Sequence, residues 1–125
     1  MRLQPKPRVV VQDEYEILAS FEVVREVTNG ITIDAAAITA DAKGDKIIKK
    51  GMPMAKLTAS GKWVPYKPAG DDGSQTPTVI LKRTVNVKDG DQVVGGYEVG
   101  KFIKERIPVT VDDALIAKMP HIVFA

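Results

Sequence analysis

The chain has 125 residues, 44% hydrophobic and 27% charged, with a net charge of +2 and no cysteine. That length and composition suit one globular domain with one core. They exclude disulfides and thiolate metal sites, and so small a net charge makes no case for nucleic acid as a partner.

The first twelve residues carry Arg2, Lys6 and Arg8 with no acid, and prolines at 5 and 7. Proline fixes φ and donates no hydrogen bond, so this stretch reads as an extended arm. It lacks the apolar stretch of a secretory signal. Val9, Val10 and Val11 are β-prone, and form either a short strand of the chain's own sheet or an unpaired edge awaiting a partner. Residues 13–27 then hold five acids against Arg25 alone.

From Glu14 the chain alternates. Tyr15, Ile17, Ala19, Phe21 and Val23 share one parity, and Glu14, Glu16, Ser20 and Glu22 the other. Period two predicts a strand with one buried and one wet face. A helix would place Ser20 and Thr28 on its apolar stripe. Asn29-Gly30 follows. A three-residue loop, Thr28 to Gly30 with Gly30 left-handed, pairs Val27 with Ile31 and Val23 with Ala35, keeping apolar side chains on one face. A hairpin is predicted here. Residues 35–42 are small and apolar, as strand or loop, and residues 42–45 form a turn. Lys43, Lys46, Lys49 and Lys50 make a basic cluster, read as a solvated face or as contact with an acidic surface.

Residues 51–83 are the densest in turn signals. Leu57 and Trp63 flank Ala59-Ser60-Gly61, and Asp71-Asp72-Gly73 reverses the chain before Val79-Ile80-Leu81. Glycine closing each turn answers a need for positive φ. The expected form is a hairpin, a proline-stiffened loop and a return strand. Val79, Leu81, Val85 and Val87 share one face, and Trp63, Leu57, Leu81 and Val85 are expected to be buried together.

After the turn at Asp89-Gly90-Asp91, residues 93–109 read as a second β region. Tyr97, Val99, Ile103, Ile107 and Val109 keep one parity. Phe102 breaks it just beyond Gly100, which predicts a bulge or sharp coil there. Thr110 to Asp113 is an N-cap signature with acids favouring the helix dipole. Ala114 to Met119 then gives about two helical turns before Pro120, and Ile122-Val123-Phe124 is a last short strand.

No catalytic constellation stands out. His121 is the single histidine, with no cysteine to act as nucleophile. Asp71-Asp72 and Asp112-Asp113 lack the spaced ligands of a calcium loop, and a turn and a cap account for them. No glycine-rich loop leads into a long helix to cradle phosphate. No apolar run approaches the ~20 residues of a membrane-spanning helix. The residues support binding or architecture rather than catalysis, with no enzyme activity, cofactor or metal expected. Strand addition to a larger surface suits the basic arm.

The order of the pieces is more specific than any one of them. Ala59-Ser60-Gly61-Lys62, Val64-Pro65-Tyr66, Asp71-Asp72-Gly73 and Ile80-Leu81 follow one another, with Leu115 and Met119 to Phe124 downstream. In this order the chain resembles the head decoration, or capsid cement, proteins of tailed bacteriophages, over about residues 48–125. It departs where Thr76-Pro77-Thr78-Val79 leads into Ile80, since the family usually has a glycine there.

The resemblance implies a mainly β (α+β) fold: a small β-barrel or β-tulip-like domain over residues 48–125 with one short C-terminal helix. Residues 1–12 are then the arm and 13–47 an added N-terminal β-hairpin. It also implies a structural virion protein, with the major capsid protein and two copies of itself as partners. Such a protein sits as a homotrimer at local three-fold positions on the head, after assembly in the host cytoplasm. Arg2, Lys6, Arg8 and Val9 to Val11 are the candidate capsid-binding residues. Leu57, Trp63, Pro65 and Tyr66 are candidates for an oligomer interface or the core. Either 1–12 or 13–47 serves as the attachment element. The alternative is another β-rich virion component of tail or connector, or an SH3-like binding module.

Overall fold

The computed structural model describes residues 16–19 and 24–125. Ten short strands dominate. They are β1 (Arg25–Glu26), β2 (Ile31–Ile33), β3 (Ile47–Ile48), β4 (Pro53–Lys56), β5 (Trp63–Pro65), β6 (Pro77–Leu81), β7 (Val85–Asn86), β8 (Gln92–Val94), β9 (Gly96–Phe102) and β10 (Ile122–Phe124). One α-helix, α1 (Asp113–Lys118), and two 3-10 turns, Ala35–Ala37 and Lys104–Arg106, complete the described elements. The protein is mainly β with a short C-terminal helix, as its turns and parities predict.

Eight strands form one sheet in the order β1-β9-β6-β4-β5-β2-β8, with β10 parallel to β9, and β3 pairs with β7 separately. Among the described residues the path does not close by hydrogen bonds, so the expected barrel is an open sheet. Gly95 alone joins β8 at one end of the path to β9 near the other. Pro53 and Pro77 each stand first in a strand, where the missing N–H removes least from the ladder.

Strand β6 separates two apolar clusters. Val79 and Leu81 face one, with Ile31, Ile33, Met54 and Val87. Ile80 faces the other, with Ile17, Tyr97, Phe102, Leu115 and Ile122. Period two sends neighbouring side chains to opposite faces, and here both faces are covered.

The turn at residues 28–30 forms: Gly30 N–H donates to the Val27 carbonyl at 3.1 Å, and Gly30 has φ +74°. The hairpin expected around it does not. Arg25 and Glu26 pair with β9, while Ile31 lies opposite Val94 rather than Val27. An isolated two-stranded hairpin keeps one face wet. Placed between β5 and β8, Ile31 and Ile33 are almost wholly buried.

Other details of the sequence reading also change. Leu18, on the parity assigned to solvent, is buried beside Ile17. The Glu16 carboxylate accepts both their N–H groups, at 2.9 and 3.0 Å, which turns the chain locally. The β region ends at Phe102, because Ile103 donates to the Ile17 carbonyl and a 3-10 turn follows. The irregularity expected near Gly100 is present, as a register slip just before it. Arg25 lies opposite Val99 and Glu26 opposite Tyr97, which leaves Glu98 as the extra residue. At Gly100 itself the Phe102 ring comes within 3.1 Å of where a Cβ would stand.

Candidate functional site

Arg2, Lys6, Arg8, Val9, Val10 and Val11 lie outside the described residues. The second predicted group is divided by the sheet. Trp63 is half-buried against the cluster holding Leu81 and Val85, and β2 grips its backbone, with Asp34 N–H donating to the Trp63 carbonyl at 3.0 Å. Tyr66 packs on the opposite cluster, where Lys118 Nζ lies 5.1 Å from its ring centre and donates to its hydroxyl at 3.3 Å. Pro65, half-buried between them, pairs with Met54. Leu57 is half-buried at the hairpin end and belongs to neither cluster. Of the four side chains expected to share a core, Leu81 is fully buried, and Trp63 and Val85 pack beside it half-buried.

The two turns carry the polar structure. In the β4–β5 hairpin, Leu57 N–H donates to Lys62 O at 2.7 Å and Gly61 N–H to Leu57 O at 2.9 Å. In the next turn, Asp72 Oδ1 accepts from Ser74 Oγ at 2.6 Å and from Ser74 N–H at 3.1 Å. The Ser74 hydroxyl, above all, holds the Asp72 carboxyl below its usual pKa. Thr58 N–H donates to the Asp72 carbonyl at 3.0 Å, which ties one turn to the other.

A third tie involves Asp91, which sequence reading assigned only to a turn. Its Oδ2 meets Lys62 Nζ at 2.6 Å and its Oδ1 accepts from Ala35 N–H at 2.9 Å. The lysine first, and then the amide, lower the Asp91 pKa, and the same hydrogen bond raises that of Lys62. Nothing local announces this clamp, which joins residues far apart in the chain.

Among the described residues no group of three or more His, Cys, Asp or Glu could hold a metal ion, and no helix is long and apolar enough to cross a membrane. His121 is exposed beside the Arg25–Glu98 ion pair. Of the basic cluster, Lys46 is drawn inward, its Nζ donating to the Ala35 carbonyl at 3.0 Å. Lys49 joins Ile47, Met52 and Pro108 around an open groove of about 630 Å³.

A family model for the bacteriophage lambda head decoration protein D matches residues 16–113. The chain belongs to this family. The match takes in both turns, the β4–β5 hairpin and the whole sheet except β10. It also begins well before residue 48, where the motifs become legible in the sequence. No curated protein matches the chain. As a family of head decoration proteins, it is one of structural rather than enzymatic proteins, belonging to the phage head.

Proposed function

We propose that the protein binds the outer surface of a phage capsid at local three-fold positions, as a homotrimer, and stabilises the shell by clamping neighbouring major capsid subunits. The family match over residues 16–113 carries this reading. A three-fold site is matched most simply by a cyclic three-fold partner, since oligomers generally close by symmetry. Leu57 and Trp63, half-buried in one subunit, are candidates for contact between copies.

Residues 1–12 are the proposed attachment arm. Strand addition would satisfy the backbone of Val9 to Val11 and lay Arg2, Lys6 and Arg8 along an acidic patch of the capsid protein. That charge contribution weakens with salt, because exposed charges are screened over about 8–10 Å at physiological ionic strength.

The test is sedimentation of the purified protein with expanded, undecorated heads, followed by cryo-electron microscopy of the decorated particle. Density at three-fold positions is the expected result. Failure to co-sediment, or monomers at two-fold or five-fold positions, would overturn the reading. Deleting residues 1–12 should weaken head binding at low salt and leave the melting temperature unchanged.

A further inference from the structure

The two ends of the sheet path are built differently. At one end β1 is charged, and both its side chains are engaged: Arg25 with Glu98 at 2.8 Å, and Glu26 with Lys82 at 2.6 Å. At the other end β8 is Gln-Val-Val, without a charge or a proline. Natural sheets guard their edges with such residues, and an unguarded edge is a template for a further strand. Val93 is 66% exposed, the most exposed large apolar side chain among the described residues.

The hydrogen-bond pattern shows which backbone groups of this edge face away from every strand among the described residues. Asp34 N–H donates to the Trp63 carbonyl, so Thr32 and Asp34 turn their amides toward β5. Alternate residues point the other way, and Ile31 and Ile33 therefore face β8. Their partners Val94 and Gln92 face back toward β2. Val93 is left with its N–H and C=O directed away from the sheet.

Those groups border an open groove of about 300 Å³ whose charged lining is wholly basic: Lys82 and Arg83, beside Thr84, Val85 and Val93. Glu26 already holds Lys82. Arg83 is exposed and makes no ion pair with a described residue. Asp91, two residues before Val93, is taken by Lys62 and Ala35.

We propose that the β8 edge at Val93, with Arg83 beside it, receives an extended, acid-bearing segment of the capsid shell protein as an added strand. The inference rests on the head-binding reading above and adds a second contact, separate from the arm. Backbone bonds at Val93 supply pairing, apolar contact with Val93 and Val85 supplies register, and a carboxylate on the incoming strand meets Arg83.

The experiment measures head binding of three single variants of the full chain. Val93→Pro deletes the outward N–H while sparing the Gln92 and Val94 bonds to β2, a position where edge strands tolerate proline. It should bind heads up to about tenfold more weakly, as the loss of one net hydrogen bond implies. Val93→Thr keeps the N–H and should bind within about twofold of the parent protein. Arg83→Glu, at an exposed site, should weaken binding severalfold and reduce its salt dependence.

If the unaltered protein binds heads and both Val93→Pro and Arg83→Glu bind equally well, the edge is not used and the head-binding reading stands. If Val93→Pro changes the sedimentation of the free protein instead, the edge joins copies of this chain and the proposal is wrong. If the unaltered protein fails to bind heads, both readings fall.

Discussion

Replacing Gly73 with alanine tests how tightly the second turn is held. Gly73 has φ +109°, which side chains rarely adopt, and forcing one there costs about 1–3 kcal/mol. A methyl group at this position would also run into the Lys56 carbonyl and stand 3.0 Å from Thr58 N. Both atoms are backbone at the end of the β4–β5 hairpin, and Thr58 N–H is already bonded to the Asp72 carbonyl. Relieving the contact means moving one turn off the other, which adds roughly 1–3 kcal/mol by the standard of overpacked sites. Gly90 supplies the control. Its φ is +135°, yet nothing lies within 4 Å of its would-be Cβ. Gly90→Ala should therefore cost about 1–3 kcal/mol from backbone strain alone. Gly73→Ala should melt a further ~3–18 °C lower, at roughly 3–6 °C per kcal/mol for a chain of this size. Thermal unfolding of the two variants beside the parent protein, with urea titrations for the free energies, makes the measurement. Equal losses for the two variants would refute the argument that the Lys56 and Thr58 backbone closes over this turn.

Leu81→Ala, at a fully buried site of the sheet, should lower stability by about 2–5 kcal/mol in a urea titration. Asp112→Ala removes the N-cap that accepts from Leu115 N–H at 2.9 Å and should cost about 1 kcal/mol, with Asp112→Asn recovering most of it. The folded pKa of Asp91 is lowered, so its carboxylate stabilises the fold above the unfolded value near 4, and that contribution is lost as pH falls through the folded value. Melting temperatures of the parent and Asp91→Asn proteins should differ at pH 6 and converge only as the pH falls through the lowered folded value of Asp91. A gap that persisted below it would show that the charge is not what the Lys62 and Ala35 contacts use.

Much of this protein is legible in its sequence wherever a few neighbouring residues decide the outcome. Gly61 and Gly73 do take positive φ, at +74° and +109°. Asp112 does cap the helix, and Val79, Leu81 and Val87 do share a buried face. A turn glycine, a capping carboxylate and a two-residue period act within the chain's local reach. The order of those signals was also enough to indicate the decoration-protein family, which the match over residues 16–113 establishes. Strand partners were another matter. The local register around Asn29-Gly30 favoured a hairpin, yet β1 joined β9 and β2 lay between β5 and β8. Pairing is settled by which distant edge buries the most apolar surface, and that is a property of the assembled sheet. The same holds for the Lys62–Asp91–Ala35 clamp, and for Arg83 beside the outward-facing amide of Val93. Their members are separated in sequence by strands that only the tertiary fold brings side by side.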